Sequence, residues 1–154
     1  MRQMLHGTAI SIGGHGVLIM GESGSGKSDL ALRLIDRGAI LISDDVVFLE
    51  TRDNAPILTV APNIAGKIEV RGVGIFTVDF IPSAPLRLIV EFLDAPDRLP
   101  EDIAHTTIGD YVVPVSQLNP FEQSSAIKVE YALRAVLDSG VLPECVSVKE
   151  SLPS

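Results

Sequence analysis

The stretch that most constrains this chain runs from Gly21 to Ser28 and reads Gly-Glu-Ser-Gly-Ser-Gly-Lys-Ser. It matches the phosphate-binding pattern G-x-x-x-x-G-K-[ST] at every constrained position. Residues 17–20 before it form an apolar run typical of a buried strand, and residues 29–35 after it carry apolar side chains at helical spacing. We therefore predict a strand, a loop and a helix in this order, with the phosphates of a nucleotide at the helix N-terminus.

Each residue type in this loop has a chemical role. Its glycines let backbone N–H groups surround a polyphosphate, Lys27 reaches the outer phosphates, and the Ser28 hydroxyl is a ligand for Mg²⁺. The predicted nucleotide-binding residues are therefore Gly21, Glu22, Ser23, Gly24, Ser25, Gly26, Lys27 and Ser28.

Composition limits the possible partners and compartment. The 154 residues are 46% hydrophobic and 21% charged, which suits a single domain over residues 1–154, with a tail from about residue 140 expected to be flexible. The formal net charge is −8 and there is no basic cluster, which argues against nucleic acid or an anionic membrane as a partner. The single cysteine, Cys145, excludes an internal disulfide and fits the cytoplasm. No apolar run is long enough to predict a membrane span.

The pattern of apolar residues predicts more strands than helices. The predicted strands are residues 5–12, 17–20, 39–42, 46–49 and 86–93, and the predicted helices run from about Lys27 to Gly38 and over 126–137. Two other stretches are predicted as a loop or loose hairpin around Asp53-Asn54 (51–62) and a mobile charged loop (64–74). Because short glycine turns join several strands, we expect an α/β domain with a mixed sheet and few helices.

Two adjacent carboxylates, Asp44 and Asp45, follow the apolar run 39–42. On an extended segment neighbouring side chains point to opposite sides, so one carboxylate can face the phosphates or a metal while the other faces a substrate hydroxyl. Phosphoryl transfer to a hydroxyl needs both a carboxylate near Mg²⁺ and an acceptor for the hydroxyl proton. The pair can supply both, although a carboxylate at a strand end can also simply cap a backbone N–H.

Several motifs, in this order, resemble the catalytic domain of the HPr serine kinase/phosphorylase family. They are Leu5-His6-Gly7, the segment 16–28, Arg37-Gly38, Ser43-Asp44-Asp45 and Glu-Val-Arg-Gly-Val-Gly-Ile at 69–75. The resemblance covers about residues 5 to 100, and the last motif is the most specific to the family. It implies a mixed-sheet P-loop kinase fold of the HPr kinase / PEP carboxykinase-like type.

The resemblance also implies an activity. A member uses ATP and Mg²⁺ to phosphorylate a serine of a small HPr-like phosphocarrier protein of the phosphotransferase system, and full-length members remove that phosphate by phosphorolysis. It further implies a homo-oligomer, a hexamer. Since the match begins at Leu5, we expect a short form that consists of the catalytic domain.

The same resemblance implies roles for individual residues. Lys27 would hold the outer phosphates, and Ser28 and Glu69 would ligate Mg²⁺. Asp44 would accept the serine proton, which leaves Asp45 as a further metal ligand. His6 and Arg98 would be a histidine and an arginine of the catalytic site. On sequence alone, each also has a structural interpretation: His6 as a strand histidine, Glu69 with Arg71 as an exposed ion pair, and Arg98 as a partner of Asp97.

One element of the family is missing. Where longer members carry Pro-Gly-Arg-Asn, linked to dephosphorylation, this chain reads Asn-Pro-Phe-Glu-Gln-Ser at 119–124 and has no arginine. Because a guanidinium binds phosphate well, its loss predicts that kinase activity exceeds phosphorolysis. The Leu-Ser-Gly-Gly-Gln signature of transporter ATPases is absent from the sequence, which leaves two alternatives: a small-molecule kinase and a nucleotide-sensing protein that does not catalyse transfer.

Overall fold

The chain begins with two antiparallel strands joined by a glycine turn, as predicted. In the computed structural model, which describes residues 2–146, strand β1 (Arg2–Ile12) pairs with β2 (His15–Met20). Gly13 and Gly14 between them have φ values of 58° and 88°, which glycine adopts without steric cost. The turn sets β1 beside the strand that leads into the predicted phosphate loop.

The first helix and the next two strands are also confirmed. Helix α1 (Lys27–Asp36) begins directly after the loop, and Gly38, with φ 112°, lets the chain leave it. Strands β3 (Ile40–Ser43) and β4 (Val46–Arg52) follow, and both pair with β1. The two aspartates therefore lie at the corner between β3 and β4.

The stretch around Asp53 and Asn54 is a hairpin rather than a loop. It joins β4 to β5 (Ala55–Val60), and its two turn residues have φ values of 52° and 63°. Positive φ at both turn positions matches the right-handed twist of antiparallel strands, and Asp and Asn tolerate it better than most residues. A short 3-10 turn (Pro62–Ile64) follows.

The prediction of a mobile loop over 64–74 is wrong. Strands β6 (Lys67–Val70) and β7 (Gly74–Thr77) form a separate two-stranded hairpin. Three glycines suggested a loop, but the segment Lys-Ile-Glu-Val alternates polar and apolar residues, as a strand with one buried face does. Ile68 is buried in the core beneath α1, which attaches the hairpin to the body of the protein.

The C-terminal part contains predicted and unpredicted elements. Strand β8 (Ser83–Phe92) and helix α2 (Ser125–Ser139) confirm the predictions for 86–93 and 126–137. Strands β9 (Ala104–Ile108), β10 (Tyr111–Leu118) and β11 (Glu144–Cys145) were not predicted. Part of the tail expected to be flexible is thus paired with β10, and its remainder, residues 147–154, lies outside the described residues.

Within residues 2–146, nine strands form one mixed sheet in the order β11-β10-β8-β2-β1-β4-β5, with β3 beside β1 and β9 beside β10. β8 runs parallel to β2 and β10, and the other pairs are antiparallel. Because β5 also pairs with β8, the strands β8, β2, β1, β4 and β5 close into a circuit. The predicted mixed sheet with few helices is confirmed.

The circuit divides the apolar core in two. On β1 and β2 successive side chains face opposite sides, so Ala9 and Leu18 point into one cluster while Ile10 and Ile19 point into the other. The first cluster fills the circuit, and the second packs under α1 and α2. On the surface the Glu130 carboxylate accepts hydrogen bonds from the Arg37 guanidinium, and this contact links α1 to α2. The same contact raises the pKa of Arg37. Neither described helix has the length and apolar content of a membrane span.

Candidate active site

The predicted phosphate loop lies between β2 and α1 and has the backbone that its sequence requires. Gly24 and Gly26 have φ values of 79° and 107°, in the region that favours glycine. A Cβ at Gly21 would lie 2.5 Å from the Oγ atom of Ser25, so a side chain there would obstruct the loop. At its end the first N–H groups of α1 have no acceptor within the helix. These features suit a phosphate group.

Lys27 folds back over the loop. Its side chain is only 4% exposed, and its Nζ atom donates hydrogen bonds to the carbonyl oxygens of Gly21 (2.7 Å) and Glu22 (2.9 Å). The same Nζ atom is 3.6 Å from Oδ1 of Asp45. A buried ammonium is costly unless it is compensated, and these three oxygens fix its position at the loop.

Asp44 is buried and accepts three hydrogen bonds. Its Oδ1 atom accepts hydrogen bonds from the hydroxyls of Ser28 (2.7 Å) and Thr8 (3.0 Å), and its Oδ2 atom accepts one from the backbone N–H of Glu69 (3.1 Å). With the Ser28 proton directed at Asp44, the lone pairs of that hydroxyl remain available to a cation. The carboxylate thus joins β1, α1 and β6 at one point.

Asp45 has the opposite environment. Its side chain is 59% exposed, and its φ of 65° lies in the left-handed region, so the expectation of an extended segment is wrong. The corner is held by three hydrogen bonds: Asp45 N–H to the Thr8 hydroxyl (3.1 Å), Gly7 N–H to the Asp45 carbonyl (3.0 Å) and Val46 N–H to the Asp44 carbonyl (2.7 Å). The two carboxylates do diverge, but because of this turn and not because of strand alternation.

Strand β1 brings these parts together. Gly7 is the register partner of Met20, the residue before the phosphate loop, and His6 is the partner of Val46, the residue after the aspartates. His6 is therefore an exposed residue beside the aspartate corner. The loop and the corner are far apart in sequence but are both next to residues 6–8.

The remaining predicted residues differ in their placement. Glu69 lies on β6 with its backbone against Asp44 and its side chain exposed. Arg71 forms no ion pair with it within the described part of the chain, and instead donates a hydrogen bond to the Gly24 carbonyl (3.3 Å). Arg98 lies on the exposed segment between β8 and β9, and among residues 2–146 it has no hydrogen bond or ion pair with the other predicted site residues or with Asp97.

The oxygen donors at this site suit Mg²⁺ bound together with a nucleotide. Among the described residues no three His, Cys, Asp or Glu side chains are close enough to hold a metal alone. Mg²⁺ in such sites takes one or two carboxylates and completes its shell with phosphates and water. The Ser28 hydroxyl, oriented by the Asp44 carboxylate, and the exposed carboxylates of Asp45 and Glu69 are donors of the right chemistry.

Sequence reasoning missed two residues of this region. Thr8 forms hydrogen bonds with both aspartates. Its signal was a hydroxyl directly before the apolar residues Ala9 and Ile10 of a strand, since buried polar side chains need partners. Phe121 lies at the end of the phosphate loop, near Gly26, in the segment that was noted only for its missing arginine. No local pattern signals that proximity.

Comparison with known proteins gives one consistent result. The model of the family described as the HPr serine kinase C-terminal domain matches residues 1–129. The chain is 33% identical over 141 residues to an HPr kinase/phosphorylase of Mycoplasmopsis pulmonis, covering 80% of this chain and 44% of that protein. It is 38% identical over 117 residues to one of Limosilactobacillus reuteri, covering 71% of this chain and 35% of that protein.

A solved structure agrees with these matches. The Hpr(Ser) kinase/phosphatase from Coxiella burnetii superposes with a TM-score of 0.76 at 27% identity, covering 90% of this chain and 98% of that one. The mixed α/β fold is therefore shared with a known HPr kinase. The chain spans less than half the length of the two curated relatives.

Proposed function

Because this chain belongs to the HPr serine kinase C-terminal domain family, we propose that it transfers the γ-phosphoryl group of ATP to a serine of a small HPr-like phosphocarrier protein of the phosphotransferase system. One observation carries the proposal: a buried lysine, a serine hydroxyl and two carboxylates meet at a glycine loop that begins a helix. These are the groups that phosphoryl transfer to a hydroxyl requires.

We assign the proton acceptor to Asp45 rather than to Asp44. A general base must be able to reach the proton it removes. Asp44 is 7% exposed and already accepts three hydrogen bonds, whereas most of the Asp45 side chain is exposed. In this assignment Asp44 orients Ser28, and Asp45 faces the acceptor hydroxyl next to the lysine that holds the phosphates.

The proposed reaction is a direct displacement. The serine oxygen forms a bond to the γ-phosphorus, the bond between that phosphorus and the β,γ-bridging oxygen breaks, and ADP leaves. The serine proton passes to a carboxylate oxygen of Asp45, while Lys27 stabilises negative charge on the phosphate oxygens. Mg²⁺, when bound with ATP by Ser28 and by the carboxylate of Glu69, neutralises phosphate charge. Arg98 and His6 stay predicted members of the catalytic site.

The test is transfer of label from γ-labelled ATP, with Mg²⁺, to phosphocarrier proteins from the same genome. We expect label on serine, and loss of nearly all label with Lys27→Met. The matched control is Arg134→Met, which removes an exposed cation from α2 and is expected to label normally. Label on a metabolite instead would favour a small-molecule kinase, and ATP binding without transfer to any acceptor would favour a nucleotide sensor.

The direction of the reaction is a second part of the proposal. The turn at 119–124 lies beside Gly26 of the phosphate loop and contains a phenylalanine but no arginine. A site that must bind phosphoserine and free phosphate loses more from a missing guanidinium than one that binds ATP through a glycine loop. We expect phosphorolysis of the phosphocarrier to be slower than its phosphorylation, and equal rates in the purified protein would contradict this.

Assembly and location complete the proposal. We propose a homo-oligomer, a hexamer, that acts in the cytoplasm on a carrier protein. Exposed apolar side chains on the β6–β7 hairpin, including Val73, Ile75 and Phe76, support a role of that surface in contacts between proteins. Light scattering of the purified protein measures the assembly, and a monomer at working concentration would contradict it.

A further inference from the structure

A large apolar side chain is exposed at the edge of the phosphate loop. Phe121 is 77% exposed and lies in the turn between β10 and α2. A Cβ placed on Gly26 would lie 3.7 Å from the Cε1 atom of the Phe121 ring and 3.7 Å from the Cβ atom of Pro120. The ring therefore borders the last loop residue before α1, where the predicted phosphates meet the helix.

The backbone that carries this ring is held from several sides. The N–H of Phe121 donates to the side-chain oxygen of Asn119 (2.9 Å), whose amide group donates to the Asp94 carbonyl (3.3 Å). Arg33 on α1 donates to the carbonyls on either side of the ring, those of Pro120 (2.5 Å) and Glu122 (3.2 Å). The exposed ring thus stands on a backbone that is tied to α1 and to the segment after β8.

The charged residue that follows Phe121 in the sequence is compensated. Glu122, the next residue, forms an ion pair with Lys128 at 2.7 Å. The chain carries a net charge of −8, which opposes anionic ligands unless their binding surface is locally neutral or positive. Because Glu122 is paired with Lys128, the face of the Phe121 ring is suited to stack against an uncharged planar group.

We propose that Phe121 stacks against the base of the nucleotide whose phosphates the loop binds. The inference rests on the proposed nucleotide-dependent function and goes beyond it by naming the residue that contacts the nucleoside. The base is covalently linked to the phosphates through the ribose, so it stays close to the phosphate loop. The Phe121 ring is an exposed aromatic side chain at the end of that loop. Stacking uses the π-face that every base has, so the contact does not select among bases.

Binding by Phe121→Ala tests this with three probes: ATP, GTP and inorganic tripolyphosphate. Tripolyphosphate reports on the phosphate loop alone, whereas the nucleotides report on the loop and the base. We expect Phe121→Ala to weaken ATP and GTP by a similar factor, about fivefold or more, from the stacking contributions measured for bases on aromatic side chains. We expect tripolyphosphate to bind as in the wild type. Tyr131→Ala, which removes an exposed aromatic ring from α2, is the matched control and leaves all three unchanged.

A second variant gives a direct optical measurement. The chain has no tryptophan, so Phe121→Trp introduces a single one, and we expect its fluorescence to change on binding ATP but not tripolyphosphate. The proposal is overturned if Phe121→Ala binds ATP like the wild type, or if it weakens all three probes equally. A higher KM for the carrier protein with unchanged ATP affinity would also overturn it, in favour of a protein contact. If the wild type binds tripolyphosphate and neither nucleotide, the proposed function fails as well.

Discussion

We assign different roles to the two adjacent aspartates because their surroundings differ. The carboxylate of Asp44 is buried among three donors, which makes it a structural acceptor at the junction of β1, α1 and β6. Asp45 has an exposed carboxylate and a left-handed backbone, a conformation that costs a non-glycine residue about 1–3 kcal/mol. Strain of this kind persists only where neighbouring contacts enforce it, and here those contacts come from Gly7 and Thr8.

The two residues are therefore expected to respond differently to the same substitution. Asp44→Asn replaces one acceptor oxygen with an NH₂ group. Depending on the orientation of the amide, this group faces either the backbone N–H or the two hydroxyls that donate to Asp44. Because hydrogen bonds are lost in a buried place, we expect a loss of about 1–3 kcal/mol in the free energy of unfolding. Asp45→Asn is expected to change it by less than about 0.5 kcal/mol, since the site is exposed and Asn tolerates positive φ. Urea unfolding of both variants measures this, and equal losses would contradict the assignment.

Among the elements, the β6–β7 hairpin connects the site to the fold. It lies outside the main sheet, yet its first strand places the Glu69 N–H against Asp44, and Arg71 reaches the Gly24 carbonyl. Its main attachment is the side chain of Ile68, which is buried under α1. Within the described residues, the hairpin is thus positioned by a buried isoleucine and by polar contacts.

This attachment can be measured with a buried and an exposed residue of β6. Ile68→Ala removes buried methyl groups and leaves a cavity, so we expect a loss of about 2–5 kcal/mol in the free energy of unfolding. Lys67→Ala, at an exposed polar side chain of the same strand, is expected to change it by less than about 0.5 kcal/mol. A small effect of Ile68→Ala in chemical denaturation would mean that the hairpin is not anchored as described.

The elements also show what local sequence patterns reveal. The β2-loop-α1 unit could be predicted because glycine positions, apolar spacing and helix boundaries are all local signals. Residues 64–74 were predicted as a loop because they include three glycines. The alternation of polar and apolar residues at 67–70 is short, and it indicates a strand only because Ile68 is buried under α1. Strands β9 and β10 were missed although they form a hairpin whose Gly109-Asp110 turn is a local signal; β10 also pairs with the distant β8 and with β11.

For the site, the structure brings several of the predicted residues together, and it shows surroundings that the sequence did not predict. The loop, both aspartates and Glu69 come together, but the difference between Asp44 and Asp45 depends on hydrogen bonds from residues 7 and 8, more than 35 positions away. The proximity of Phe121 to Gly26 likewise arises from packing between α1 and the turn before α2. Contacts of this range are not encoded in local spacing.

At the scale of the whole molecule, the closed circuit of strands supports the site. β2 is paired on both sides, by β1 and β8, and it leads directly into the phosphate loop. β1 pairs with β2 on one edge and with β3 and β4 on the other, so its residues fix the distance between the loop and the aspartate corner. The site therefore depends on the most connected strands of the sheet.

We expect hydrogen exchange to follow this organisation. Amides of β2 and β8, which are hydrogen-bonded within the sheet and buried, should exchange last, through opening of the whole fold. Amides of the β6–β7 hairpin should exchange earlier, because one of its strands is exposed and it pairs with no other strand in the described residues. Mass spectrometry of exchange on the intact chain measures both, and equal protection of the hairpin and β8 would contradict the description.

We propose that Asp45 accepts the serine proton while Asp44 positions Ser28. The most direct measurement is the single-turnover rate of phosphoryl transfer from bound ATP to the carrier protein in the wild type and in Asp45→Asn. We predict a fall of about 10²-fold to 10⁴-fold, the usual contribution of a general base, with ATP affinity nearly unchanged. A transfer rate in Asp45→Asn close to that of the wild type would contradict this assignment.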